Sequence, residues 1–269
     1  RRLVPSADDA WAMNAFAIWL RRTWWVFALT AGVYLAVFLR SLAWKWDLAW
    51  MHSILAGGTL LASPALSGAA VVVVLRLFPP EAREVASIGA RPWAVPLHLA
   101  GAVWLHATAA YLLAGVVATG VCELYEADRK GVMLPWSVVT GPLALLAAAA
   151  LGVALGLIFR GLWTVPLVVL AVFLGHRVTY WSALPELLTL KQATGSAANG
   201  GYRQLGAHLM ASAAVNAMAA LALLAIGAAL SYPRGLRPRL LAIVVGVCVV
   251  VIGIVLGWGW ADSYEPIPS

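Results

Sequence analysis

The stretch Ala144-Leu145-Leu146-Ala147-Ala148-Ala149-Ala150-Leu151-Gly152-Val153-Ala154-Leu155-Gly156-Leu157 carries no polar side chain on any face. A surface helix keeps a polar stripe, and a strand of a soluble sheet or of a membrane barrel alternates apolar with polar residues. This run does neither. It sits inside a longer interval, 131 to 159, that lacks Asp, Glu, Lys and Arg altogether. About 20 apolar residues cross a bilayer as a helix, and only an intrahelical ladder satisfies every backbone N–H and C=O in lipid. The interval is therefore a transmembrane helix.

The same criterion finds six further intervals, at 23 to 39, 53 to 75, 92 to 122, 161 to 176, 204 to 233 and 240 to 261. The one beginning at 161 reaches spanning length by continuing past Arg177 to Trp181. The expected fold is an all-α membrane protein, a polytopic bundle of about seven transmembrane helices. Composition agrees. Of 269 residues, 63% are apolar and 11% charged, against roughly 45–50% and 25% in soluble domains. A mean hydropathy of +0.89 excludes a soluble or disordered chain, and two cysteines exclude a disulfide scaffold. Cys122 and Cys248 lie on different spans at different depths, so neither a disulfide nor a metal site is expected.

The net charge of +7 reads as membrane orientation, not as a nucleic-acid surface. With the N-terminus inside, eleven basic residues and four acids fall on the cytoplasmic side, against seven of each outside. The positive-inside rule then puts the N-terminus in the cytoplasm and the C-terminus outside. Asp8 and Asp9 precede the first apolar interval and no small-residue cleavage pattern follows it, so the N-terminal segment is expected to stay attached. Three lysines against 15 arginines, with abundant Ala, Gly and Val, suggest a bacterial plasma membrane protein.

Before the first span, Trp11, Ala15, Ile18 and Trp19 recur at helical spacing, which predicts an interfacial helix over 11 to 22 with Arg21 and Arg22 toward anionic headgroups. One long tilted helix over 11 to 39 is the alternative. Trp24, Trp25, Trp44, Trp46, Trp50, Trp93, Trp136, Trp163, Trp181, Trp258 and Trp260 fall near predicted span ends, as an aromatic belt requires.

The segment Phe78-Pro79-Pro80-Glu81-Ala82-Arg83-Glu84-Val85-Ala86-Ser87-Ile88-Gly89-Ala90-Arg91-Pro92 reads as one complete short helix. Pro80 suits a first turn, Glu81 and Glu84 complement the positive end of the dipole, and Gly89 and Pro92 terminate it. Nine residues give roughly 13 Å, too short to span. Ala82, Val85 and Ile88, flanked by Arg83, Glu84 and Arg91, form a face suited to another protein's groove; a solvated connector is the alternative.

Taken in order, these features resemble the permease subunits of type-2 ABC exporters. The matching parts are an elbow helix (11 to 22), a cytoplasmic coupling helix (80 to 88), the tight turn Leu157-Ile158-Phe159-Arg160-Gly161-Leu162-Trp163, and the external segment from Leu184-Pro185-Glu186-Leu187-Leu188 to Gly201, which is similar to the family's re-entrant helices. The resemblance covers residues 11 to about 231 and divides the chain into a cytoplasmic segment with the elbow (1 to 22), a six-span permease domain (23 to 231), and an Arg-rich turn, seventh span and external tail (232 to 269). The seventh span departs from the family's usual six.

This resemblance implies a non-enzymatic transport subunit without cofactor. An ATP-binding cassette subunit would dock on Glu81, Arg83, Glu84, Val85, Ile88 and Arg91, and a second permease subunit, the same or different, would complete the pathway. The chain has no G-x-x-x-x-G-K-[ST] phosphate loop of its own. Few polar groups lie in the spans: Asn216, Thr108, Ser137, Thr140, His106 and His208. Thr108, Asn216 and His106 are the candidates for a substrate path or for hydrogen bonds between helices, and the scarcity of charge favours a lipophilic, amphiphilic or peptide-like cargo.

The competing class is a haem-binding electron-transfer subunit, which needs two facing axial imidazoles. His98, His106, His176 and His208 are available, but no two spans pair them at mid-depth. Trp44-Lys45-Trp46-Asp47 is similar to tryptophan-rich haem-handling loops, though a belt pair is the simpler reading. A secondary transporter is disfavoured by the odd number of spans and the lack of a buried carboxylate.

Overall fold

The computed structural model describes residues 16–78, 94–127, 135–159, 161–181, 196–197, 202–204, 206–231, 246 and 264–266. The described helices are α1 Phe16–Arg22, α2 Trp24–Leu39, α3 Leu48–Leu77, α4 Ala94–Leu124, α5 Pro135–Ile158, α6 Thr164–Trp181 and α7 Gly206–Ser231, with a 3-10 turn Ala43–Trp46 joining α2 to α3. Four of them, α3, α4, α5 and α7, are long and apolar enough to cross a membrane; α1 and α2 qualify together as a bent pair, and α6 is a shorter apolar helix. The protein is a helical, membrane-embedded bundle.

Contacts fix the direction of each helix. Ser67 of α3 donates to the carbonyl of Ala148, and Gly156 lies against Val71 and Val74, so α3 and α5 run parallel. Gly68 meets Val165 and Val169 while Leu60 meets His176, so α6 is antiparallel to α3. Leu55 meets Gly115, and α4 also opposes α3. Phe16 and Trp19 touch His98, Tyr34 touches Tyr111, and the carbonyl of Trp44 accepts from Cys122, so α1 and α2 run with α4. Gly227 packs on Ala154, each about a turn from its helix end, so the long α5–α7 contact is parallel. The start of α2, the end of α3, the start of α4 and the α5–α6 turn thus share one end of the bundle.

At the centre, α3 packs on α5 through very small residues. Ala148, Gly152 and Gly156 recur four apart on α5, and a Cβ on Gly152 would come within 2.6 Å of the Ala70 Cβ and still closer to the Ser67 carbonyl. Backbones this close replace the side-chain grip that lipid cannot drive by hydrophobic exclusion. The opposite side of α5 does the same for α7, where a Cβ on Gly227 would reach the Ala154 Cα at 2.8 Å. The run that is apolar on every face is thus the helix with a neighbour on most of them.

The α1–α2 break falls at Thr23, with a 46° bend. The Thr23 hydroxyl donates back to the carbonyls of Trp19 (2.9 Å) and Leu20 (3.2 Å), competition with the backbone ladder that bends helices. Residues 16–39 are thus two helical segments joined at a bend, within the ranges expected from sequence for the interfacial helix and first span. The inward face of α1 is Phe16 and Trp19, against His98, whereas Ile18, expected on the apolar face, is exposed. Residues 1 to 15 lie outside the described residues.

Three short strands, β1 Ser196–Ala197, β2 Tyr202–Gln204 and β3 Tyr264–Pro266, add a small antiparallel sheet in the order β1-β2-β3. The described elements are otherwise helical, and Ser196–Ala197 lies in the external segment likened to re-entrant helices, whose residues 184–195 and 198–201 lie outside the described residues. The register pairs Arg203 with Glu265, which carry opposite charge. Pairing with β2 brings β3 back to the end at which α7 begins.

The tight turn after α5 is present: the Thr164 N–H donates to Gly161 (3.0 Å) and the Phe159 and Trp163 rings pack at 5.7 Å. Trp24, Trp46 and Trp163 are exposed, as belt residues should be. Trp44 is not one of them. It is 6% exposed, and its indole N–H donates to the Phe38 carbonyl at 3.0 Å, closing the 3-10 turn over the end of α2.

Candidate functional site

Two tyrosines mark the place where α2, α3, α4 and α5 converge. Tyr34 and Tyr111 are fully buried and meet edge to face, centroids 5.7 Å apart at 70°. Each ring needs a glycine on the next helix. A Cβ on Gly58 of α3 would stand 2.5 Å from the Tyr34 ring, and one on Gly141 of α5 would stand 2.5 Å from that of Tyr111. Edge-to-face pairs of this kind add about 0.5–1.5 kcal/mol beyond burial.

Tyr111 also lines a cleft between α3 and α4. Its volume is about 290 Å³, and its other walls are His52, Leu55, Leu112, Gly115, Val116 and Thr119. Gly115 keeps the floor open, since a Cβ there would press on Leu55 at 3.3 Å. Leu112 and Val116 are exposed on the outer wall, so the cleft opens sideways from the bundle. The Thr119 hydroxyl is committed to Gly115 of its own helix (2.8 Å). By contrast His52 Nδ1, the Tyr34 hydroxyl and the Trp50 indole N–H are buried without a hydrogen-bond partner among the described residues. Buried polar atoms of this kind carry a desolvation cost of about 1–3 kcal/mol unless a ligand or water satisfies them. The cleft itself is lined mostly by apolar side chains, with His52, Tyr111 and Thr119 as its polar residues. Only the tyrosines' mid-span position hinted at this cleft in the sequence.

At the rim, Lys45 lies 4.3 Å from the Trp46 ring and 4.4 Å from that of Tyr125, and Asp47 caps α3 by accepting from the Trp50 N–H at 3.0 Å. Trp44-Lys45-Trp46-Asp47 is therefore a structural closure between α2, α3 and α4.

The residues expected from sequence are not gathered into one site. His106 is tied by Nε2 to the Leu20 carbonyl (2.8 Å), joining α4 to α1. Asn216, expected to bond between helices, donates to Ser212 one turn earlier in α7 (2.9 Å). The Thr108 hydroxyl is buried without a partner among the described residues. Glu81, Arg83, Glu84, Val85, Ile88 and Arg91 lie outside the described residues, as does the side chain of His208. Each described histidine has its own surroundings: His52 the cleft, His98 the rings of Phe16 and Trp19, His106 the Leu20 carbonyl and His176 the Leu60 carbonyl. Among the described residues no three His, Cys, Asp or Glu side chains cluster as metal ligands would.

No family model, curated protein or solved structure matches the chain.

Proposed function

We propose that the chain is the membrane permease subunit of a bacterial type-2 ABC exporter, driven by a separate ATP-binding cassette subunit and working with a second permease subunit. The observation that carries this reading is the placement of two connections at one end of the bundle. The link from α3 to α4, whose sequence holds Glu81 to Arg91, leaves and re-enters beside the short α5–α6 turn because α3 and α5 run parallel. A partner docked there would touch the ends of both central helices at once, and its movement would rotate them together. The same end holds Arg21, Arg22 and Arg76, and Arg160 in the sequence, which supports its being cytoplasmic.

The seventh span belongs to this proposal. α7 is roughly 39 Å long at 1.5 Å per residue, yet β3 pairs with β2, just before its first residue. That pairing, together with the buried Gly246, a position where a Cβ would press on Ile226 of α7, supports a return crossing beside α7. The C-terminus would then be external. The α3–α4 cleft, which opens sideways and is lined mostly by apolar residues, supports a lipophilic or amphiphilic cargo entering from the bilayer.

The test is the double variant Glu84→Arg with Ile88→Asp, read by copurification of an ATP-binding subunit from native membranes and by ATP-dependent transport. Charge reversal and a buried acid at a desolvated contact should cost several kcal/mol, enough to abolish both while the protein still inserts. Unchanged copurification and transport would refute the reading.

A further inference from the structure

At the basic end, a second groove separates the foot of α2 from the last turns of α3. It holds about 250 Å³ and is lined by Arg22, Trp25, Val73, Arg76 and Leu77. Two guanidinium side chains thus face one concavity, although they are 54 positions apart in sequence and on different helices. Neither has an ion-pair partner among the described residues, and the described acids Asp47, Glu123, Glu126 and Glu265 all sit at the opposite end of the bundle. Both arginines are exposed, so their charge is available to something outside the protein.

The rest of the lining decides what that is. Val73 and Leu77 are apolar, and Trp25 is half-buried beside the exposed Trp24, the depth at which indoles meet the glycerol and headgroup layer. A soluble anion would use the two charges and leave the apolar wall unused. A lipid uses both. We propose that this groove binds the phosphate of an acidic phospholipid between Arg22 and Arg76, with its glycerol and first acyl carbons against Trp25, Val73 and Leu77. Arg is suited to this because its planar fork meets phosphate oxygens two at a time. Bound there, the lipid joins the α1–α2 bend to the end of α3. This site does not depend on the transport reading.

The experiment is native mass spectrometry of the full-length, delipidated protein titrated with phosphatidylglycerol, phosphatidylcholine or inorganic phosphate. One phosphatidylglycerol should be retained at least tenfold more tightly than phosphatidylcholine. Arg22→Gln and Arg76→Gln should each weaken it about fivefold, the order expected for one basic residue at an anionic surface. The two together should remove the preference, and Arg22→Lys with Arg76→Lys should restore part of it. Arg21→Gln, an exposed neighbour outside the groove, should change binding less than twofold. An equal loss on Arg21→Gln would mean diffuse surface charge and would overturn the site. So would equal retention of the two lipids, or unchanged binding in the double Gln variant. Displacement of phosphatidylglycerol by equimolar inorganic phosphate would assign the groove to a soluble anion instead and overturn the lipid.

Discussion

Replacing Gly152 by alanine adds a single methyl group, and the geometry predicts an effect far larger than that group's size. The new Cβ would lie 2.6 Å from the Ala70 Cβ, where ordinary contacts begin at about 3.4 Å, and closer still to the Ser67 carbonyl. Both obstacles are backbone or as short as a side chain can be, so neither can swing aside. α3 and α5 must part locally by at least about 0.8 Å. A gap of that size forfeits a quarter to a half of each dispersion contact of about 0.1–0.2 kcal/mol. Over on the order of 20 atom pairs along the seam this comes to about 0.5–2 kcal/mol. The Ser67 bond to Ala148, 2.9 Å long, is stretched as well, and a bond of this kind in lipid contributes about 0.6 kcal/mol. Overpacking strain adds about 1–3 kcal/mol, and alanine's better helix propensity returns up to about 1 kcal/mol. The net destabilisation is about 3 kcal/mol, which for a chain of this size lowers the melting temperature by roughly 6–12 °C. Thermal unfolding in detergent, followed by tryptophan fluorescence, measures it. Gly120→Ala, where nothing lies within 4 Å of the added atom, is the matched control; it gains the same helix propensity and should melt up to about 2–4 °C above the parent. If Gly152→Ala melts within about 1 °C of that control, the close seam between α3 and α5 is wrong.

Arg203→Cys with Glu265→Cys, opposite each other in the sheet register, should form an intramolecular disulfide on mild oxidation, detected by mass spectrometry of the intact chain; failure to cross-link would remove β3 from the sheet and the support it gives to a return crossing. Asn216→Ala should cost about 1 kcal/mol, because its bond to Ser212 lies within α7 and holds no second helix; a loss of melting temperature as large as that of Gly152→Ala would show that Asn216 does join helices.

The helical character and four long apolar spans were legible because an interval without charge is a one-dimensional signal: α3, α4, α5 and α7 each fall largely within a charge-free interval. The seam was legible too, in Ala148, Gly152 and Gly156 at a spacing of four, although reading the run only as apolar on every face passed over it. Other features depend on what a residue meets across the bundle. Trp44 stands at a span end like its neighbours, and only the 3-10 turn decides that it folds inward onto Phe38 while Trp46 stays out. The cleft depends on Tyr111 and His52, which lie 59 positions apart and become neighbours because α3 and α4 are antiparallel. Asn216 is read in the sequence as a bond between helices or a substrate contact, and the bond found for it among the described residues is to Ser212 in its own turn.

The seam also bears on where solutes can go. Where Gly152 meets Ser67 and Gly227 meets Ala154, main chain rests on main chain, leaving no lumen for even a water molecule. These contacts make a dry seam on both sides of α5. The room that remains among the described helices lies to the side of this seam, in the α3–α4 cleft of about 290 Å³.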